Sequence, residues 1–120
     1  MYSETLLDHF HHPRNVGEIV DASVVVEASN PVCGDLLKLW ATVRDGSIQA
    51  VKFKAAGCVP SVACASWLTE EILSKSNEEL SALTVEDVTR GLAGIPLASR
   101  HAAVLAVDAL KRLLEQIRKT

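Results

Sequence analysis

The sequence predicts an α+β fold in which a three-stranded antiparallel sheet carries helices on one of its faces. Two runs alternate apolar and polar residues with the period of two that a half-buried strand requires, and an Asp-Gly turn joins them. A β-branched run precedes this pair and supplies the third strand. From residue 60 onward the apolar residues recur with helical spacing.

Composition limits the kinds of protein that this chain can be. Its 120 residues, 48% of them hydrophobic, are enough for one domain with a genuine core, so we expect a single domain over residues 1–120. The net charge of -3 is mild and both signs are scattered, which argues against nucleic acid and membrane surfaces as partners. No segment resembles a signal peptide or reaches membrane-spanning length, so we expect a cytoplasmic protein.

The chain contains three cysteines, an odd number that cannot form a complete disulfide framework. In a reducing compartment the remaining roles are metal binding, thiol chemistry and simple burial. These roles are the alternatives for each cysteine below.

The N-terminal segment predicts a short helix. Ser3 is placed to cap it, Phe10 is its last apolar residue, and Pro13 ends it. Four polar residues in this segment superficially resemble a metal cluster, but the later histidines stand where the helix is already ending. We interpret all four as solvated side chains that help to dock the segment. They are Asp8, His9, His11 and His12.

The strands follow. A β-branched run begins at Val24, and a second strand is predicted over residues 36–43 with alternate residues facing the core. Asp45 and Gly46 tolerate the positive φ that a tight hairpin needs, and the third strand follows them. The core-facing residues are predicted to be Leu37, Leu39, Ala41 and Val43 in the second strand and Val51, Phe53 and Ala55 in the third.

Three further helices are predicted. The first starts at Pro60, where a missing N-H is tolerated, and runs to about Lys75. A short helix over residues 84–92 has Thr84 and Asp87 placed as a capping pair. The last runs from near Ser99 to about residue 119. Its buried stripe is predicted to comprise Val104, Val107, Leu110, Leu114 and Ile117.

Two of the cysteines occupy positions that suit a metal ligand. Cys33 lies in a turn between two predicted strands, where Asp35 is close enough to offer a hard oxygen to the same ion. Cys58 precedes a predicted helix N-terminus, which stabilises a thiolate beside it. Because both thiols stand next to a glycine at a strand end, we prefer a metal or iron-sulfur site to the alternative of two small buried side chains.

The other candidates carry less weight individually. Cys64 lies inside a predicted helix between two alanines and is predicted to be buried. His101 stands alone on the first turn of the last helix, where a histidine is a weak signal. Together with Cys33, Asp35 and Cys58, however, His101 makes a set of ligands suited to iron or zinc.

Four segments of the chain resemble the IscU/NifU-type iron-sulfur cluster assembly scaffolds. They occur in the same order as in that family, and the similarity covers nearly the whole chain. The segments are residues 2–17, with Leu-Asp-His-Phe and Pro-Arg-Asn-Val-Gly, Asn-Pro-Val-Cys-Gly-Asp at 30–35, Gly-Cys at 57–58, and Arg-His at 100–101 followed by Leu-Ala-Val-Asp-Ala-Leu.

This resemblance implies a SufE/NifU-like fold and a non-enzymatic scaffold that holds a transient 2Fe-2S cluster at one exposed end. A cysteine desulfurase would supply the sulfur, and the cluster would pass to iron-sulfur acceptor proteins. The positions that correspond to the family's functional residues, as cofactor and metal ligands, are Cys33, Asp35, Cys58 and His101. Zinc is the alternative ion in the isolated state, and a homodimer is one option for assembly.

The chain also departs from the family pattern. The family has a third cysteine directly after the position of His101, and this chain has Ala102 there. The chaperone-docking motif Leu-Pro-Pro-Val-Lys is replaced by Ile-Pro-Leu-Ala-Ser at 95–99, and Cys64 stands at what is usually a serine position. The four remaining ligands still suffice for a cluster or a zinc ion, but with an oxygen ligand we expect a more labile cluster than in a three-cysteine scaffold.

Three functions therefore remain at this point. The first is a scaffold or carrier for iron or a 2Fe-2S cluster. The second is a thiol-based sulfur acceptor in which Cys58 is the attacking thiol and Cys64 or Cys33 is the resolving thiol. Cys58 and Cys64 nevertheless lack the close spacing of a redox pair. The third is a zinc-binding regulatory partner of a cysteine desulfurase that does not itself build clusters.

Overall fold

The structure, a computed structural model, describes residues 1–31 and 34–119. It contains three strands in the order β1-β2-β3, with antiparallel pairing throughout, so the predicted α+β fold is confirmed. A short 3-10 helix at Leu97–Ser99 leads into the last helix. The elements are α1 (Glu4–His11), β1 (Val24–Asn30), β2 (Asp35–Arg44), β3 (Ser47–Ala56), α2 (Val59–Ser74), α3 (Asn77–Ser81), α4 (Val85–Gly91) and α5 (Arg100–Lys119).

One face of the sheet forms the centre of the core. Val26 pairs with Leu39, which in turn pairs with Phe53, so three buried side chains stand in a row across the strands. The turn between β2 and β3 has positive φ at both Asp45 and Gly46, as the sequence predicts. The register of all three strands therefore places their alternate apolar residues under the helices.

The N-terminal segment is attached to both the sheet and α2. The hydroxyl of Ser3 caps α1 by accepting a hydrogen bond from the Leu6 N-H, 3.0 Å away. Farther along, the Phe53 N-H donates to the Asn15 carbonyl (2.8 Å), and the Gly17 N-H donates to the Phe53 carbonyl (2.9 Å). Residues 15–17 thus run along the outer edge of β3.

The prediction that the polar residues of this segment are solvated is wrong for His9. This side chain is buried, with Nδ1 lying 2.8 Å from Oγ of Ser66 and Nε2 lying 3.6 Å from Oε1 of Glu70. Ser66 also accepts a hydrogen bond from the Arg14 N-H at 2.9 Å. His9 therefore docks α1 onto α2 through polar contacts made inside the protein. The other three polar residues are exposed: Asp8, His11 and His12.

The long helices α2 and α5 cover the apolar face of the sheet, and α4 packs against them. The capping pair predicted for α4 is present, with Thr84 and Asp87 exchanging side-chain to backbone hydrogen bonds. The helix α3 is an additional element that the sequence analysis did not predict. None of the helices in the described part of the chain combines the length and apolar character needed to cross a bilayer.

The predicted stripe of α5 needs one correction. Val104 is exposed because it lies on the same side of the helix as Asp108, Lys111 and Glu115. Much of the buried face consists of small residues instead, which allow a helix to lie close to its neighbours. The buried alanines are Ala102, Ala103, Ala106 and Ala109.

Candidate metal centre

Asp35 is the first residue of β2, and its carboxylate is held inside the protein at the end of the sheet. Only 4% of the residue is exposed. Gly57 permits this position, because its φ is +149° and a Cβ there would collide with the Asp35 carboxylate and lie 3.1 Å from Oγ of Ser61. A glycine at position 57 is therefore what allows the chain to pass directly over the carboxylate.

Cys58 is the residue that precedes α2, as predicted. Its carbonyl accepts the first hydrogen bond of the helix, from the Ser61 N-H at 3.0 Å. Its side chain forms no capping hydrogen bond and is partly accessible. The thiol therefore lies at the positive end of the α2 dipole.

His101 is the second residue of α5 and lies across from Cys58. Its side chain is 27% exposed, and its Nε2 atom lies 3.2 Å from Oδ2 of Asp35. The same nitrogen lies 3.8 Å from Sγ of Cys58. The first turn of α5 thus brings an imidazole to a carboxylate and a thiol from two other parts of the chain.

The spacing of these three atoms suits a single metal ion. The third separation, from Sγ of Cys58 to Oδ2 of Asp35, is 3.8 Å. A tetrahedral zinc ion with bonds of about 2.0–2.3 Å separates its nitrogen, oxygen and sulfur ligands by roughly 3.3–3.6 Å. Separations of 3.2 to 3.8 Å therefore need only small adjustments to surround one ion. Within the described residues this is the one group of three such ligands found together.

The thiol of Cys58 donates to Oδ2 of Asp35 over 3.8 Å, and Nε2 of His101 lies 3.2 Å from the same oxygen. Binding an ion through these atoms requires the thiol to lose its proton and Nε2 to offer a lone pair. Metal binding at this centre is therefore linked to proton release.

Ser61 belongs to the same cluster, although the sequence analysis did not assign it to the site. It is 3% exposed and donates a hydrogen bond to Oδ2 of Asp35 over 2.7 Å. Its Oγ also lies 3.2 Å from Sγ of Cys58. A serine in the first turn of a helix is common for local reasons, so the sequence offered no signal of this long-range contact.

Three further positions bear on this centre, and the structure describes two of them. Cys33 lies outside the described residues, so its place relative to the centre stays a prediction. Cys64 is fully buried, as predicted, and burial raises the pKa of its thiol to about 12. Ala102, where the family pattern has a cysteine, is 1% exposed and directly follows His101 on α5.

Comparisons with known proteins show the family of this chain. Residues 1–119 match the family model of the NifU-like N terminal domain. The iron-sulfur cluster assembly scaffold protein IscU 1 of Archaeoglobus fulgidus is 42% identical over 114 residues, which cover 95% of this chain and 74% of that protein. The corresponding IscU protein of Escherichia coli K12 is 37% identical over 114 residues, covering 92% of this chain and 88% of that protein.

The fold is also shared with solved structures. The N-terminal part of a NifU-like protein from Brucella abortus superposes with a TM-score of 0.83 at 15% identity, covering 98% of this chain and 94% of the other. The similarity in fold therefore extends over the whole arrangement of sheet and helices. From the match over residues 1–119 and the identities to the curated relatives, the chain belongs to the NifU-like N-terminal domain family.

Proposed function

We propose that this protein is an iron-sulfur cluster assembly scaffold, which binds iron or a transient 2Fe-2S cluster and transfers it to acceptor proteins. The observation that carries the proposal is the convergence of Asp35, Cys58 and His101 at separations that suit metal ligation. These residues come from a strand, a loop before a helix and a distant second helix. The relatives that share most of the chain are themselves named as such scaffolds.

The proposed ligands are Cys33, Asp35, Cys58 and His101. Two thiolates and an imidazole are ligands that suit iron-sulfur clusters, and a carboxylate completes the number of four. Partial exposure of Cys58 and His101 supports a cargo that is received from one protein and given to another, since a fully enclosed site would hinder both steps. The proposed partners are a cysteine desulfurase as the sulfur source and iron-sulfur proteins as acceptors.

Anaerobic reconstitution tests this function. The purified chain is incubated with ferrous iron, cysteine, a cysteine desulfurase and dithiothreitol, the thiol that reduces the delivered sulfur to sulfide. Iron, acid-labile sulfide and visible absorption are then measured. About two iron and two sulfide per chain are expected, followed by transfer to an apo-ferredoxin. Cys58→Ala should abolish the absorption, whereas Cys64→Ala should retain it, because Cys64 is buried within the helix.

Two outcomes would contradict the proposal. If the chain bound one zinc ion but never acquired sulfide, a zinc-binding partner of the desulfurase would be favoured instead. If it accepted persulfide sulfur on Cys58 without binding iron, a sulfur acceptor would be favoured. Mass spectrometry of the intact chain after the same incubation distinguishes these two results.

A further inference from the structure

We infer that Ser61 is a positioning residue that holds the Asp35 carboxylate in the orientation needed to bind a metal ion. Neither the sequence motifs nor the comparisons with known proteins assign a role to this serine. The inference rests on the proposed metal-binding role of Asp35. It adds to that role by identifying what orients the carboxylate before the ion arrives.

The first argument is the direction of the hydrogen bond. Ser61 lies on the first turn of α2, and its single hydroxyl proton is directed to Oδ2 of Asp35 at 2.7 Å. A serine near a helix N-terminus usually bonds to nearby backbone groups. Here the hydroxyl instead reaches a side chain on another element, and both residues are buried.

The second argument is that the carboxylate is held on two sides by one short segment. Oδ1 of Asp35 lies against the backbone of Gly57, where no side chain fits, and Oδ2 accepts the hydrogen bond from Ser61. Cys58 stands between these two residues in the sequence. The stretch from Gly57 to Ser61 therefore supplies one ligand and orients a second.

The third argument concerns which oxygen of Asp35 accepts the bond. Oδ2 is the oxygen that also faces Cys58 and His101, so Ser61 holds the atom that is proposed to bind the ion. A carboxylate oxygen can accept this bond and still bind an ion, since it has two lone pairs. Hydrogen bonds of this kind orient metal ligands and raise affinity.

A double-mutant cycle on the purified full chain tests the inference. Zinc affinity is measured by competition with a chromogenic chelator for the unmodified chain, Ser61→Ala, Asp35→Ala and the double variant. We expect Ser61→Ala to weaken zinc binding by about tenfold in the unmodified background. In the Asp35→Ala background the same change should have less than about a twofold effect, because the residue through which Ser61 acts is absent.

Ser66→Ala is the matched control. Ser66 is a second buried serine of α2 whose hydroxyl bonds to His9 and to the Arg14 N-H rather than to the centre. The Ser66→Ala substitution should lower the thermal midpoint of unfolding but leave the zinc affinity unchanged. Visible spectra of the Co²⁺ form should change with Ser61→Ala and not with Ser66→Ala. Ser61→Thr retains the hydroxyl and should bind zinc more tightly than Ser61→Ala, which keeps the test informative if the alanine variant folds poorly.

The results separate this inference from the proposed function. Unchanged zinc affinity in folded Ser61→Ala, or an equal loss in both backgrounds, would overturn the positioning role while the scaffold function stands. If zinc binding by the unmodified chain did not depend on Cys58 and Asp35, both the positioning role of Ser61 and the proposed scaffold function would be refuted.

Discussion

The Nε2 atom of His101 lies 3.2 Å from Oδ2 of Asp35, which joins the first turn of α5 to the first residue of β2. The Cys58 thiol faces the same two groups from the N-terminus of α2. Each of the three residues lies at the start of a regular element, with Asp35 buried and the side chains of Cys58 and His101 partly exposed. Such a centre can be both preorganised and accessible.

Restoring a thiol after His101 should stabilise the bound cluster. In Ala102→Cys the added thiolate is a softer donor than the Asp35 oxygen, so the cluster's visible absorption should persist longer after anaerobic reconstitution. Decay of the absorption in air measures this lifetime. Ala103→Cys is the control, because Ala103 is equally buried but is turned about 100° around the helix. Equal lifetimes for Ala102→Cys and the unmodified chain would count against the ligand assignment.

Cys64 should behave as a structural residue. With a pKa raised to about 12 by burial, its thiol stays neutral at physiological pH, so iodoacetamide should alkylate Cys58 in the native protein and leave Cys64 unmodified. Peptide mass spectrometry identifies the modified residue. The contribution of the neutral Cys64 thiol to folding stability is complete below the ordinary pKa of 9.0. This contribution is lost as the pH rises towards 12.

Replacing this side chain should cost stability without affecting the metal centre. Cys64→Ala is expected to destabilise the fold by about 1 kcal/mol, because a small buried group is removed, and to leave metal content unchanged. Rapid native alkylation of Cys64, or loss of metal from the alanine variant, would refute its structural role.

A side chain at position 57 should damage the centre and the fold together. Gly57→Ala combines a positive φ with a direct collision against Asp35, so we expect a loss of about 1–3 kcal/mol in unfolding free energy and weaker zinc binding. Gly46→Ala provides the control, since Gly46 also has a positive φ, +80°, but has nothing within 4 Å of the added Cβ. Denaturant unfolding and chelator competition measure the two effects. Similar zinc affinities for both variants would contradict the predicted collision.

Acid should loosen the attachment of α1. Burial is the main cause that holds the pKa of His9 below its ordinary value of 6.5, with Arg14 acting in the same direction against the opposing charges of Glu70 and Asp8. The unfolded chain therefore binds the proton more readily, and stability should fall as pH drops through about 6.5 until the folded state is also protonated. His9→Asn cannot take up this proton, so its thermal midpoint should fall less between neutral pH and about pH 5. An identical acid response in the two proteins would show that other groups are responsible.

The elements that sequence could predict are those fixed by local rules. The turn at Asp45 and Gly46 requires positive φ, and the Thr84 capping pair depends on residues three positions apart, so both can be read directly. The five-residue helix α3 was missed because it is shorter than the window over which helical periodicity becomes visible.

The errors arose where distant contacts decide the outcome. His9 has the same side chain as His11 and His12, and only the surface of α2 above it makes it buried. Val104 is apolar and was assigned to the buried stripe of α5, but it lies on the exposed side of the helix, and alanines make up much of the buried side. Likewise Ser61 gains its contact with Asp35 only after the sheet and α2 have packed together.

The backbone of residues 15–17 lies along the middle of the outer edge of β3, where Phe53 exchanges hydrogen bonds with Asn15 and Gly17. A strand from another protein could pair there only by displacing this segment and breaking the contact between the Asn15 amide and the Thr69 hydroxyl. The sheet is thus protected from edge-to-edge aggregation on that side. The opposite edge of the sheet is β1, where adding a strand would leave these contacts in place.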